Sequence, residues 1–177
     1  VTTQDASRGH ILVIDDEPDI RESLEMLLSS EGYRVELAAN GTQGLKRVET
    51  STFDLILLDL MMPDKSGMEV LEEIRTRDRE TPIFLITAYG SVESAVTALK
   101  CGANDYFSKP WDNEKLLIEI QRMISSRQLE RENTELKRAL RQRYSFPTIV
   151  GKSDRMLKIL DLVAQVAASR PTILITG

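Results

Sequence analysis

The chain has 177 residues, 41% hydrophobic and 29% charged, with a formal net charge of -5, which allows one complete core and part of a second. No apolar run reaches the roughly 18 to 20 residues that cross a bilayer, and the opening VTTQDASRGH lacks the basic and apolar regions of a signal peptide, so a cytoplasmic location without membrane contact is expected. A single cysteine, Cys101, and a single histidine, His10, exclude a disulfide framework and any zinc site built on several Cys or His ligands; Cys101 reads as a small buried side chain near a helix end.

From residue 10 short apolar runs alternate with stretches of helical period. HILVID (10–15), RVELA (34–38), FDLILLD (53–59), TPIFLIT (81–87) and DYFSK (105–109) read as strands, three of them too uniformly apolar to have a wet face. Helices are expected near 18–30, 41–49, 67–76 and 91–100, with Gly32, Gly67, Gly90 and Gly102 as punctuation. Five strands alternating with helices make a doubly wound α/β fold, a parallel sheet covered on both sides. Charge follows the same division. Residues 1–111 carry 11 Lys and Arg against 20 Asp and Glu, too acidic for a nucleic-acid surface, and residues 112–143 carry 8 against 6, a mixed and solvated helix face.

In such a sheet ligands bind beyond the carboxyl ends of the strands, where strand order reverses. The first strand ends in Asp15 and Asp16, the third in Asp59, the fourth in Thr87 and the fifth in Lys109 followed by Pro110. An Asp after a strand is commonly a turn residue or a helix cap, and that reading is kept for Asp19 and Asp64. Three carboxylates, a hydroxyl and an ammonium arriving together at one rim ask for more. Clustered carboxylates repel unless a cation intervenes, and oxygen ligands with room for water suit Mg²⁺. Lys109 and Thr87 can then contact phosphoryl oxygens, and Asp59 becomes a candidate nucleophile that would hold the group as an acyl phosphate.

The motifs VIDDEPD, LLDLMMPDKSG, LITAYG and DYFSKPWD, in that order and spacing, make residues 8–125 resemble the receiver domain of two-component response regulators. The resemblance implies a flavodoxin-like five-stranded sheet of order 2-1-3-4-5 with Asp59 as acceptor of a phosphoryl group from a sensor histidine kinase. It implies Asp15, Asp16, Asp59 and the backbone carbonyl of Met61 as the Mg²⁺ site, Lys109 as a phosphoryl contact, and Thr87 with Tyr106 as a conformational switch. It also implies a cis bond between Lys109 and Pro110, which proline permits at modest cost. A receiver is a phosphoacceptor rather than an enzyme proper. Two rivals fit worse: a flavodoxin-like cofactor site would set DDEPD against its anion, and a haloacid dehalogenase-type phosphatase would leave Asp59 unexplained. A structural pseudo-receiver is disfavoured because no rim residue is missing.

No Gly or Pro occurs from 112 to 146, so the last helix is expected to run on as a linker through 112–143. Leu117, Ile120 and Ile124 form a stripe for the receiver core, whereas Leu129, Asn133, Leu136 and Leu140 follow d, a, d, a spacing, and Asn at a favours a two-stranded coiled coil. A homodimer through that seam is expected. Residues 148–177, with Ser153 as an N-cap and TILITG as a strand, look like the start of a second α/β domain. IVGKSDRMLKILDLVAQVAASRPTILITG resembles the beginning of the AAA+ ATPase domain of NtrC-type activators of sigma-54 RNA polymerase, ending before the family's P-loop lysine. The resemblance implies a whole protein that hydrolyses ATP, acts on the polymerase and binds DNA through parts outside this sequence. The alternative is a receiver that signals to a separate protein.

Overall fold

The structure is a computed structural model that describes residues 7–88, 92–143 and 159. Strands and helices alternate as β1 (His10–Ile14), α1 (Pro18–Ser30), β2 (Arg34–Ala38), α2 (Gly41–Thr50), β3 (Leu55–Asp59), α3 (Gly67–Arg77), β4 (Ile83–Thr87), α4 (Val92–Lys100), β5 (Asp105–Ser108) and α5 (Asn113–Arg143). The sheet order is β2-β1-β3-β4-β5, with every pair parallel. The chain moves from β1 outward to β2 and then crosses back to β3, so order reverses between β1 and β3. Asp15 and Asp59 stand at the carboxyl ends of those two strands.

The expected absence of a wet face holds for the inner strands: β3 and β4 are buried at every residue and β1 at all but His10. The edge strands β2 and β5 are mixed, as a strand covered on fewer sides must be. Alternation sends Leu12, Ile14, Ile56, Leu58, Ile83 and Leu85 to one core, closed by Val70, Leu71, Ile74 and Ala98 of α3 and α4. Ile11, Val13, Leu55, Leu57, Phe84 and Ile86 form the other, closed by Leu24 and Leu28 of α1 and by Leu116, Ile120 and Ile124 of α5. The expected stripe on the last helix is displaced by one residue at its start. Leu116 is fully buried at the four-residue spacing of Ile120 and Ile124, and Leu117 packs at the margin.

Local signals set the helix starts. Pro18 opens α1 where its missing N–H costs nothing. Asn40 caps α2 by accepting from Gln43 N, and Ser66 with Glu69 forms a capping box at α3. Asp64, read as a cap or turn residue, accepts hydrogen bonds from Gly41 N, Thr42 N and Thr42 Oγ1 at the start of α2. Gly32 and Gly102 have φ of 83° and 101° after α1 and α4, the left-handed conformation that glycine adopts without strain. Cys101 follows α4 directly and is half-buried.

α5 has 31 residues, and the chain divides into two compact units at its Arg127–Gln128 bond. Arg127 Nη1 donates to the carbonyls of Phe53 and Asp54, and its Nη2 donates to Thr81 Oγ1. Beyond it, Leu129 and Leu136 are each 65% exposed and Asn133 is exposed. The side chain of Leu140, Gly90, Ser153, the strand TILITG and the expected second-domain start at 148–177, apart from residue 159, lie outside the described residues. Among the described residues no helix is long and apolar enough to cross a membrane.

Candidate functional site

Each rim residue is delivered by its strand. Asp15 follows β1, Asp59 ends β3, Thr87 ends β4, and Lys109 follows β5. Thr87 O accepts from Lys109 N at 2.7 Å, which turns the chain after β5 toward β4. The bond from Lys109 to Pro110 is cis. The Lys109 side chain is 9% exposed, and its ammonium meets Asp15 Oδ2 at 2.8 Å, Glu17 Oε1 at 2.8 Å and Asp59 Oδ2 at 3.0 Å. Asp15 and Asp59 are both buried. Their second oxygens are held as well: Asp15 Oδ1 accepts from Glu17 N at 2.9 Å and Asp59 Oδ1 from Met61 N at 3.2 Å.

These contacts explain how two acids persist at the edge of the core. Burial pushes the Asp15 carboxyl up, and the bonds from Lys109 and Glu17 N oppose it without cancelling it. Burial alone would lower the Lys109 ammonium, but its bonds to Asp15, Glu17 and Asp59 push it well above the usual lysine range. The three carboxylates thus favour the charged form of Lys109.

Among the described residues, Asp15, Glu17 and Asp59 form a cluster whose carboxylate oxygens lie within 4.8 Å of one another. Asp16 is half-buried beside them and is not in that group, and Glu17 is the residue that the sequence reading passed over. Its position two residues after Asp15, in the strand-to-helix turn, was the available signal. Oxygen-only donors, two buried and one exposed, fit a hard divalent cation that retains water. Met61 puts its backbone beside Asp59 while its side chain is 58% exposed.

Thr87 and Tyr106 lie farther along the rim. Thr87 is fully buried, and Ala88 next to it is small and exposed. Tyr106 pairs in register with Leu85 and Thr87 with Ser108, so the two side chains occupy one sheet face on neighbouring strands, one step apart. Tyr106 packs against the core on that face, and its hydroxyl is buried without a hydrogen-bond partner. An orphaned buried hydroxyl asks for an explanation in a site of this kind.

Residues 11–121 match the response regulator receiver domain family. The chain belongs to that family. It is 35% identical to the regulatory protein AtoC of Escherichia coli (strain K12) over 96% of this chain and 37% of AtoC. NtrX from Brucella abortus, in a crystal structure with ATP, aligns at 30% identity and a TM-score of 0.68 over 90% of this chain and 35% of NtrX. The response regulator TrrA from Thermotoga maritima, in a structure with Mg²⁺-BeF, aligns at 38% identity and a TM-score of 0.60 over 64% of this chain and 97% of TrrA. The chain thus spans little more than a third of AtoC and NtrX, and its likeness to them runs past the receiver match.

Proposed function

We propose that this receiver accepts a phosphoryl group on Asp59 from the phosphohistidine of a sensor kinase and so controls an attached sigma-54-activating AAA+ ATPase, and through it transcription. The observation that carries the reading is the Lys109 ammonium held between Asp15 and Asp59 at the switch point of the sheet. An Asp59 oxygen forms a bond to phosphorus as the phosphorus–nitrogen bond of the donor breaks, and the imidazole nitrogen keeps that electron pair. Lys109 places its charge where it can neutralise a phosphoryl oxygen, and Met61 N holds the non-attacking carboxylate oxygen in position. Thr87 donates to a further phosphoryl oxygen.

Asp15, Asp16, Asp59 and the Met61 carbonyl are the residues proposed to hold Mg²⁺, with Glu17 near enough to contribute. Magnesium bound there supplies positive charge to the phosphoryl oxygens, a reading supported by the presence of Mg²⁺ and BeF in the TrrA structure. Movement of Thr87 toward the phosphoryl group would leave room on its sheet face, and Tyr106, whose hydroxyl has no partner to lose, can take it. The switch would alter the face around residues 88–106. Likeness to AtoC and NtrX beyond the receiver supports an attached ATPase, and the ATP in the NtrX structure agrees with it. The seam of Leu129, Asn133, Leu136 and Leu140 would hold two copies together, and the receiver would work in the cytoplasm.

Mass analysis after incubation with acetyl phosphate and Mg²⁺ tests the centre of this reading. The native chain is expected to gain one phosphoryl group and Asp59→Asn none. Equal labelling of the two would overturn it.

A further inference from the structure

The ammonium of Lys109 has three protons, and all three are in use. Asp15 Oδ2 and Glu17 Oε1 each lie 2.8 Å from Nζ, and Asp59 Oδ2 lies at 3.0 Å. A new bond from Nζ to an arriving phosphoryl oxygen must therefore displace one of them. The three acceptors are not equivalent. Asp15 is 2% exposed and Asp59 4%, and each is pinned through its other oxygen by a backbone N–H. The Glu17 side chain is 57% exposed. Glu17 stands at the N-cap position of α1 without making a side-chain cap, and among the described residues its carboxylate has no other hydrogen bond.

From this we infer that Glu17 is the releasable partner of Lys109, a positioning residue that holds the ammonium in the resting site and yields it when the phosphoryl group arrives. The inference rests on the phosphoacceptor reading of Asp59. Two physical consequences follow. Breaking the pair that is exposed at its Glu17 end costs less than breaking the buried pair to Asp15. The Asp59 pair loosens only once Oδ2 bonds to phosphorus, so the exchange on arrival of the donor runs through Glu17. Until it swings away, Glu17 also presents negative charge to an anionic donor, which slows the approach. In the reaction with acetyl phosphate an Asp59 oxygen bonds to phosphorus, the bond from phosphorus to the acetate oxygen breaks, and acetate leaves with that pair. No proton has to move, and Lys109 exchanges the Glu17 carboxylate for a phosphoryl oxygen.

Glu17→Ala leaves α1 with its Pro18 start and removes no cap, so folding should be unaffected. At saturating Mg²⁺, Glu17→Ala should label with acetyl phosphate about two- to fivefold faster than the native chain, the factor set by loss of one exposed ion pair. Glu17→Gln, which keeps an acceptor oxygen but no charge, should fall between. The ¹⁵N-resolved ammonium protons of Lys109 in metal-free protein give a readout independent of labelling: their exchange with water should speed up in Glu17→Ala. An unchanged or slower labelling rate in Glu17→Ala overturns the inference, as does an unchanged Lys109 exchange rate. Slower labelling of Glu17→Ala confined to low Mg²⁺ and restored at saturation would make Glu17 a metal ligand instead and overturn the inference. Native protein that labels while Asp59→Asn does not keeps the parent reading intact in any of these cases, and native protein that fails to label would end both.

Discussion

Gly67→Ala puts a methyl group where the backbone around Asp59 already stands. A Cβ built on Gly67 falls 2.2 Å from the Asp59 carbonyl oxygen, 2.7 Å from Leu60 Cα and 3.0 Å from the Asp59 carbonyl carbon. Ordinary contact needs about 1 Å more, and the obstructing atoms are main chain, with no rotamer to change. The same segment carries the bond from Gly67 N to Leu60 O, so the start of α3 and the end of β3 must separate together. Overpacking of this kind costs about 1 to 3 kcal/mol or more, and the better helix propensity of alanine returns at most ~1 kcal/mol. We expect a net loss of about 1 to 2 kcal/mol in urea unfolding at unchanged m-value. We also expect slower acetyl phosphate labelling, because the displaced main chain is that of Asp59 itself. Full stability with native labelling would show that the loop after β3 absorbs the methyl group and would refute the reasoning.

Asp64→Ala should lower stability by about 1 kcal/mol near neutral pH, the value of a helix N-terminal cap. Slight burial raises the Asp64 carboxyl, but bonds from Thr42, Lys65 and Gly41 outweigh it and hold it at about 2. Its contribution is thus present above about pH 4 and fades as pH falls toward 2, so native and variant unfolding curves should converge in acid. Arg127→Ala removes donors to Phe53 O, Asp54 O and Thr81 Oγ1 and should cost about 2 kcal/mol by urea unfolding, with native labelling of Asp59; a neutral result would mean water replaces the guanidinium. Thr87→Ala should still accept the phosphoryl group but lose the downstream response, measured as ATPase activity or assembly in the whole protein; a normal response would remove Thr87 from the switch. Leu129→Lys with Leu136→Lys should sediment as a monomer where the native chain sediments as a dimer, and a native monomer would count against the seam.

Most of the fold was legible because the hydrophobic pattern of an α/β sheet repeats its own geometry. Runs such as LILL and IFLI have no polar position to spare, and only strands covered on both faces bury them. The strand ends were legible for the complementary reason: Asp15 and Asp59 interrupt apolar runs while still buried, and an acid so placed needs a partner. Glu17 escaped because it lies outside any strand, in a turn where an acid before Pro18 reads as an ordinary helix start. Its contact with Lys109 spans 92 residues, and no periodicity reports on such a pair. Arg127 escaped similarly, since an Arg in a charged helix carries no sign that it donates to carbonyls 73 and 74 residues earlier.

The long helix carries two apolar stripes, and each has its own spacing. At about 100° per residue, Leu116, Ile120 and Ile124 drift by only about 40° per step and keep one face toward the sheet. Leu129, Asn133 and Leu136 follow one another at steps of four and three residues, the spacing of a coiled-coil seam. Leu129 and Leu136, each 65% exposed on a charged helix, would gain by burial against another apolar surface. Asn133 between them would disfavour burial in an ordinary core, yet it suits a position where two helices pair and a polar contact sets register. A second copy of the helix would cover the second stripe, and the double lysine substitution is the sharpest test of that proposal.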